Sequence, residues 1–282
     1  MTQIWCNGQW LDFREFASSP MDRGTLHGLG LFETLLALDG SPVFAGRHLA
    51  RLQQACDRLG WPLSFSDFHD TAVELLARNN LTAGRARIRL AVTAGSGPVH
   101  DLTPGSDRLV WMTALPVGES SDSLTACLSP WPRNERSPLA GMKCASYAEN
   151  LIALDYARRQ GFGETIFPNT AGHLCEAATA NLFVVLDGAL LTPPLVSGCL
   201  PGITREVVIE LARDLGMPCE ERDLLPGELP RAEEVFLTSS IRGVTRLSRF
   251  EDHRYAAGRT TQVLQQALQA AILNDVLSWK SK

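Results

Sequence analysis

Lysine is almost absent from this chain, which has 26 lysine and arginine residues but only three lysines. Lys280 and Lys282 stand among the last three residues, so Lys143 is the only lysine in the body of the protein. Arginine stays protonated, whereas a desolvated lysine amine can lose its proton and form a Schiff base. A lone lysine in an arginine-rich chain is therefore a candidate for amine chemistry. The simpler explanation is a surface lysine that remains by chance in a sequence whose codon bias favours arginine.

Signals for several other protein classes are missing too. No basic stripe is present and the net charge is −5, which argues against a nucleic-acid partner. No apolar run approaches the roughly 20 residues needed to cross a membrane, and the N-terminus lacks a basic region followed by an apolar signal core. We therefore expect a cytoplasmic protein with no membrane partner.

The sequence also lacks the common signatures of metal sites and disulfides. The seven cysteines are odd in number and no two have CxxC spacing, so free thiols in a reducing compartment fit best. The six histidines form no HExxH or HxH pair, and we predict no metal site. There is no GxSxG elbow and no Walker loop, and Gly28-x-Gly30 lacks the third glycine of a dinucleotide fingerprint.

Hydrophobic periodicity predicts a mixed α/β chain in two lobes. We predict strands at residues 29–38, 85–93, 109–114, 124–128, 164–167, 173–176, 182–185 and 235–238, and helices at residues 46–59, 68–79, 147–160, 201–215 and 259–279. Because the strands come in groups and do not alternate with helices, a doubly wound parallel sheet is disfavoured. The polar stretch 116–123 predicts a small N-terminal α/β domain over residues 1–117 and a larger domain over residues 118–282.

Three sites besides Lys143 carry chemical meaning. Gly202-Ile203-Thr204 is predicted to open a helix, where backbone N–H groups and the helix dipole can bind phosphate, although an ordinary helix start is far commoner. Glu176 is one acid among small and apolar residues, and a buried acid needs a partner such as a protonated heterocycle. An exposed Glu176 at a strand end is about equally compatible. Arg51 could grip a phosphate, or it could be a solvated helix residue.

Together, these four sites meet the needs of pyridoxal phosphate. That cofactor requires a lysine, a phosphate cradle and an acid paired with its ring nitrogen. A nearby carboxylate favours the protonated ring nitrogen, and that form stabilises a carbanion best.

Five segments then resemble the class IV (fold type IV) aminotransferases, in the order in which that family has them. They match the family's DRG…GDGxFET opening, its HxxRL helix, and its K-x-x-N-Y-x-x-N, E-x-x-x-x-N-x-F and LPGITR segments. The matching residues are Asp22-Arg23-Gly24 with Gly28-Leu29-Gly30-Leu31-Phe32-Glu33-Thr34, His48-Leu49-Ala50-Arg51-Leu52, Lys143 to Asn150, Glu176 to Phe183, and Leu200-Pro201-Gly202-Ile203-Thr204-Arg205.

The resemblance implies a role for each matched residue. Lys143 would be the Schiff-base lysine and proton shuttle, and Glu176 would bind the pyridine nitrogen. The phosphate would be held by Arg51, the amides of Ile203 and Thr204, and Ser240, while Tyr147 and Gly202 would also contact the cofactor. The family fold implies a small N-terminal α/β lobe, a larger lobe with a barrel-like β-core, pyridoxal phosphate between the lobes, and a homodimer.

Within the family, several stretches look most like the 4-amino-4-deoxychorismate lyases. Thr34 matches the lyase threonine thought to assist proton transfer as pyruvate leaves, and Lys143 would remove the α-proton before p-aminobenzoate is released. The alternative is a transaminase acting on a D- or branched-chain amino acid or on an amine, because the same cofactor-binding residues serve both reactions. A homologue without turnover is disfavoured because lysine, acid and phosphate groups are all present.

The chain departs from the family pattern at positions that concern the substrate. Leu29 replaces the family Asp, His27 replaces Tyr or Phe, and Ser146 replaces the Asn before the family tyrosine. Ala94 stands where many members carry the arginine of a TRGxG turn, which binds the substrate carboxylate. The substrate-binding candidates that remain are His27, Arg89 and Arg242, with His100 as a further guess. Arg85 and Arg87, which alternate with apolar residues beside Arg89, are more simply explained as a solvated strand face.

Overall fold

The computed structural model describes residues 2–119 and 121–280, which form two compact units. The first unit runs to Glu119 and also takes in Met142–Tyr147 and the chain from Ile272 onward. The second unit comprises the segment that follows Glu119 up to Gly141, together with Ala148–Ala271. Lys143 therefore lies in the first unit although its neighbours on both sides in the sequence belong to the second.

The first unit is built on a six-stranded antiparallel sheet with the order β2-β1-β6-β5-β3-β4. Its strands are β1 (Gln3–Cys6), β2 (Gln9–Asp12), β3 (Gly30–Leu38), β4 (Ser41–Pro42), β5 (Arg85–Thr93) and β6 (Val110–Pro116). Its helices are α1 (Arg23–His27), α2 (Ala45–Leu59) and α3 (Phe68–Arg78).

Helix α2 packs its apolar stripe on one face of this sheet. Leu52 and Cys56 are four positions apart on the helix and are fully buried in the same core as Leu31 and Leu35 of β3. The helix ends at Gly60, which has a left-handed φ of 70° and caps the last turn. Because side chains alternate along a strand, Glu33 shares the helix-facing side of β3, whereas Phe32 lies on the other side.

The second unit contains a nine-stranded mixed sheet with the order β12-β11-β10-β13-β14-β7-β8-β9, and β15 pairs with β14 off this path. Its strands are β7 (Ser123–Leu128), β8 (Glu164–Pro168), β9 (Leu174–Ala177), β10 (Asn181–Leu186), β11 (Ala189–Thr192), β12 (Cys219–Glu221), β13 (Glu234–Ser239), β14 (Gly243–Phe250) and β15 (His253–Arg254). Its helices are α4 (Ala148–Arg159), α5 (Ile203–Asp214) and α6 (Arg259–Lys280), of which α6 continues into the first unit. The β7–β8, β7–β14 and β11–β12 pairs are parallel.

The mixed α/β class predicted from the sequence is confirmed, and the strands do not form a doubly wound parallel sheet. The prediction that a helix starts at Pro201 is wrong by two residues, because Gly202 is extended (φ −69°, ψ 132°) and α5 begins at Ile203. Strand β14 was not predicted because Arg246, Ser248 and Arg249 interrupt its apolar pattern.

Two features of the described residues concern membrane spans and metal sites. No helix among them is both long and apolar enough to span a membrane. No group of three or more His, Cys, Asp or Glu side chains within residues 2–119 and 121–280 is arranged to hold a metal ion.

Candidate active site

Lys143 lies in a short segment that pairs with the edge of β3 through an isolated bridge between Cys144 and Leu31. The first half of β3 has one edge uncovered by β4, because β4 is only two residues long and pairs with Ala37 and Leu38. The Lys143 segment satisfies backbone groups on that edge: Phe32 N donates to Lys143 O at 2.9 Å, and Ala145 N donates to Gly30 O at 2.7 Å. The backbone of residues 143–145 is therefore fixed by two hydrogen bonds to the strand that carries Phe32.

The Lys143 amine rests on an aromatic wall. Its Nζ lies 4.4 Å from the centroid of the Phe32 ring and 5.6 Å from that of Tyr147. The two rings contact each other edge to face at 5.6 Å. Ring faces attract a cation and limit its positions, so this wall holds a half-buried amine in a defined place.

A hydroxyl and a guanidinium lie on the same sheet face as Phe32. Thr34 follows Phe32 by two residues on β3, and its direct partner across the sheet is Arg89 of β5. The Arg89 Cζ is 3.8 Å from the centroid of the Phe32 ring. Burial and the nearby Arg87 lower the pKa of Arg89, although an arginine stays protonated in water. One face thus combines an amine, a hydroxyl and a fixed positive charge.

The helix-facing side of β3 carries a buried ionic cluster formed by Glu33, His48 and Arg51. Glu33 Oε1 accepts from Arg51 Nε at 2.8 Å, and Oε2 accepts from Arg51 Nη2 at 2.6 Å. His48 Nδ1 lies 2.7 Å from the same Oε2. Burial would raise the pKa of Glu33, but the Arg51 charge and the His48 and Arg51 hydrogen bonds hold it at about 2. Burial lowers the pKa of His48, and because an ionised carboxylate only accepts, the ring donates to Glu33 through Nδ1–H.

Sequence reasoning identified Arg51 but gave no role to Glu33 or His48. The signal was present, because Glu33 is a single acid inside the apolar strand Leu31 to Leu36. A buried carboxylate needs charged or hydrogen-bonding partners, and the three-residue spacing of His48 and Arg51 puts both on one helix face.

In the second unit, Glu176 is buried on β9, so the alternative of an exposed strand end is wrong. Its Oε2 accepts from Leu200 N at 3.0 Å and lies 3.5 Å from Asn181 Nδ2. Asn181 Nδ2 also donates to Leu200 O at 2.8 Å. Glu176 is therefore held against the loop that leads into α5.

Arg133 is the residue of this region that sequence reasoning missed. Its Nη2 lies 3.5 Å from Glu176 Oε1, and its guanidinium stacks on the Phe167 ring at 4.4 Å. Glu149 Oε2 and Asn150 Oδ1 accept from its Nη1 at 2.7 and 3.2 Å. No motif marks Arg133, because its partners come from three separate segments of the chain.

The start of α5 is shaped for an anion. Its N-cap residue is Gly202, which has no side chain to cap the helix, and the amides of the first turn, including those of Ile203 and Thr204, have no acceptor within the helix. A Cβ on Gly202 would lie 2.0 Å from Asn181 Oδ1, so the close approach of the two segments requires glycine. Amide N–H groups at a helix N-terminus favour a negative group such as phosphate.

The remaining predicted residues have different surroundings. Arg242 Nη2 donates to Thr179 Oγ1 at 2.7 Å and to Glu164 Oε2 at 3.2 Å, and Glu164 is fully buried. Ser240 is half-buried just after the end of β13. His27 is exposed at the end of α1. The predicted site residues divide between the two units: Lys143, Tyr147, Thr34, Arg51, Arg89 and His27 lie in the first, and Glu176, Gly202, Ile203, Thr204, Ser240 and Arg242 in the second.

Comparison with known proteins adds an independent result. The family model described as amino-transferase class IV matches residues 30–250. A branched-chain-amino-acid aminotransferase of Salmonella typhimurium is 32% identical over 282 residues, covering 95% of this chain and 91% of that protein. An aminodeoxychorismate lyase of Bacillus subtilis is 26% identical over 283 residues, covering 96% and 95%. The crystal structure of a branched-chain aminotransferase from Thermoproteus uzoniensis with norvaline superimposes with a TM-score of 0.91 at 26% identity, covering 97% of this chain and 95% of that one.

Proposed function

This chain belongs to the class IV amino-transferases, and from that premise we propose that it converts 4-amino-4-deoxychorismate to p-aminobenzoate and pyruvate. It is a pyridoxal-phosphate-dependent enzyme of fold type IV, as its family is. The observation that carries the proposal is that Lys143 and Arg89 lie against the Phe32 ring, on the face of β3 that also carries Thr34. That grouping offers an amine, a hydroxyl and a carboxylate-binding group on one face.

The residues present suit the cofactor. Lys143 would hold it covalently, with Tyr147 beside the ring, and Glu176 would pair with the ring nitrogen. Arg51, Ser240 and the first turn of α5, which comprises Gly202, Ile203 and Thr204, would hold the phosphate. The fit rests on Glu176, which is a buried acid already fixed by an amide, and on the N-terminus of α5, where the N-cap residue Gly202 has no side chain. When bound, pyridoxal phosphate supplies an electron sink for bonds broken at the carbon that bears the amine.

The side chains of the first unit would then move the protons. Lys143 Nζ, held against Phe32 and Tyr147, would take the proton from the carbon that bears the substrate amine. Thr34 Oγ1 would deliver a proton to the methylene carbon of the departing enolpyruvyl group. Both groups lie on or beside the same face of β3, so one bound substrate could meet them in succession.

We propose Arg89 as the residue that binds the substrate carboxylate. Position 94 holds a fully buried alanine, which offers no charge to a carboxylate. Arg242 is committed to Glu164 and Thr179, which makes it the weaker candidate. His27, which is exposed at the end of α1, is a second candidate for contact with the substrate.

A transaminase is the second candidate, and the relatives favour it. The Salmonella branched-chain-amino-acid aminotransferase is 32% identical to this chain and the Bacillus lyase 26%. Such an enzyme would act on a branched-chain or D-amino acid, or on an amine, with Lys143, Glu176 and Arg51 in the same roles. The homodimer, the cytoplasmic location and the domain boundary near residue 117 stay predictions under either function.

A paired assay separates the two functions. We expect the loaded enzyme to release pyruvate and p-aminobenzoate in equal amounts from 4-amino-4-deoxychorismate, measured by a lactate dehydrogenase couple and by p-aminobenzoate fluorescence. With single amino acids, including leucine and D-alanine, we expect little loss of the visible absorbance of the bound cofactor. Rapid bleaching by an amino acid without pyruvate formation from the first substrate would establish the transaminase instead.

Thr34→Val is expected to lower pyruvate formation by about a hundredfold, because it removes the proposed proton donor while keeping the side-chain shape. Thr34→Ser retains a hydroxyl and should keep most of the activity. Both variants should bind the cofactor like the parent, which a spectrophotometric titration checks. A Thr34→Val enzyme within twofold of the parent rate would exclude the hydroxyl from the proton transfer.

Arg89→Gln is expected to raise KM for 4-amino-4-deoxychorismate by roughly ten- to a hundredfold, because a charge-assisted bond to a carboxylate is lost. Steady-state kinetics on the parent and the variant measure the change. Arg85→Gln is the matched control, since Arg85 lies on the same face of β5 but farther from Phe32, and its KM should stay close to that of the parent. Equal effects of the two substitutions would point to a general charge effect of the strand.

A further inference from the structure

Glu33 is a buried carboxylate that pairs with Arg51, the arginine that the proposed function assigns to the cofactor phosphate. We propose that Glu33, assisted by His48, is a positioning residue that fixes the Arg51 guanidinium in the orientation needed to bind the phosphate of pyridoxal phosphate. The inference rests on the proposed function, because it takes Arg51 as a phosphate-binding residue. It adds two residues that act through Arg51 and do not themselves touch the cofactor.

The geometry of the pair determines the direction of the guanidinium. Glu33 accepts from Nε and Nη2 of Arg51 at 2.8 and 2.6 Å, so both carboxylate oxygens engage one edge of the planar group. A two-point contact of this kind sets the plane as well as the position. A phosphate would consequently have to approach Arg51 from the opposite edge, and the arginine would need little rearrangement to receive it.

Burial makes the arrangement rigid. The Glu33 side chain is 1% exposed and that of Arg51 is 9% exposed, so neither group can exchange its partner for water at low cost. Fixing a free arginine side chain on binding costs rotamer entropy. In this chain the rotamer entropy of Arg51 is lost when the protein folds, so the phosphate would bind a side chain that is already ordered.

His48 supports the carboxylate from the same helix. Its Nδ1–H donates to Glu33 Oε2 at 2.7 Å, so this oxygen accepts hydrogen bonds from both His48 and Arg51 Nη2. His48 and Arg51 are three residues apart on α2, and both therefore reach the same point on β3. The imidazole restricts rotation of the carboxylate, and through the carboxylate it restricts the guanidinium.

The alternative is that Glu33 only balances charge inside the core. The two explanations differ in which ligand is affected, because pyridoxal has the ring and aldehyde of the cofactor but no phosphate. A positioning role predicts weaker binding of pyridoxal phosphate and unchanged binding of pyridoxal. A purely structural role predicts equal losses for both, since the pocket as a whole would be loosened.

The test titrates the cofactor-free protein with pyridoxal phosphate and with pyridoxal, following the absorbance of the bound forms. Glu33→Gln is expected to raise the dissociation constant of pyridoxal phosphate about tenfold or more. The dissociation constant of pyridoxal should stay within twofold of the parent value. In an Arg51→Met background, Glu33→Gln should add no further loss. Glu74→Gln, which breaks the exposed Glu74–Arg78 pair in the same unit, is the control and should change neither affinity.

If Arg51→Met leaves the preference for pyridoxal phosphate over pyridoxal unchanged, the phosphate role of Arg51 fails and the inference falls with it. If Arg51→Met reduces that preference but Glu33→Gln does not, or if Glu33→Gln acts equally in both backgrounds, only the inference is overturned. Should Glu33→Gln fail to fold, Glu33→Asp keeps the charge but withdraws the carboxylate by one methylene, and the same selective loss is expected.

Discussion

Lys143→Ala is expected to abolish turnover, by more than roughly 10⁴-fold, with every substrate the enzyme accepts. The substitution removes the only amine in the body of the chain and with it both the covalent hold on the cofactor and the proposed proton carrier. The visible absorbance of the bound cofactor should shift, and the cofactor should be lost on dialysis. Steady-state rates, together with spectra taken before and after dialysis, measure both effects.

Lys143→Arg separates amine chemistry from charge. An arginine can occupy the same aromatic wall of Phe32 and Tyr147 as a cation, but it is not a nucleophile. We expect it to be as inactive as the alanine variant. Cys144→Ala, the adjacent position in the segment that pairs with β3, is the control and should remain active. Undiminished turnover in either Lys143 variant would rule out the mechanism.

The position of Lys143 shows which part of the site the sequence could predict. Its rarity and the surrounding motif predicted amine chemistry, because these are properties of residue type and order. The pairing of residues 143–145 with β3 could not be predicted. It depends on β4 being two residues long, which leaves an open edge that a distant segment can fill. Such pairing reflects tertiary geometry and leaves no local periodicity in the sequence.

Arg51 and Arg242 illustrate the same limit for charged side chains. The HxxRL pattern identified Arg51 as a phosphate-binding candidate, but not that Glu33 engages two of its donors. Arg242 was named as one alternative partner for the substrate carboxylate, yet its guanidinium contacts Glu164 and Thr179, which come from other strands and turns. Sequence patterns indicate which charged residues are candidates for a site. The partner of a buried charge depends on the packing of distant segments and is not visible in such patterns.

The elements themselves were predicted where periodicity was clean. Helix α2 and strand β5 follow their apolar spacing closely, and β10 is a continuous apolar run buried on both faces. Boundaries were less certain where one residue has two local preferences. Pro201 suits a first helical turn, but the contact between Gly202 and Asn181 keeps the chain extended until Ile203.

Glu176→Gln is expected to lower turnover by about a hundred- to a thousandfold, the usual cost of removing one preorganised electrostatic contact in an active site. Glutamine has almost the same shape, so it can stay near Leu200 and Asn181, but it carries no negative charge to favour a protonated ring nitrogen. Glu176→Asp keeps the charge at a shorter reach and should recover part of the rate. Steady-state kinetics on loaded enzyme measure all three proteins.

Because Arg133 lies beside Glu176, the same substitution is also expected to lower the stability of the protein. The Arg133 guanidinium lies 3.5 Å from Glu176 Oε1 and is largely buried, so the glutamine variant leaves this cation with the half-exposed Glu149 as its one remaining carboxylate partner among the described residues. We therefore expect Glu176→Gln also to unfold at lower urea concentration. Glu228→Gln, which removes a carboxylate 2.8 Å from Arg222 in the same unit, is the control for stability loss without loss of turnover. If Glu176→Gln kept its turnover within threefold, this acid could not be the partner of the ring nitrogen.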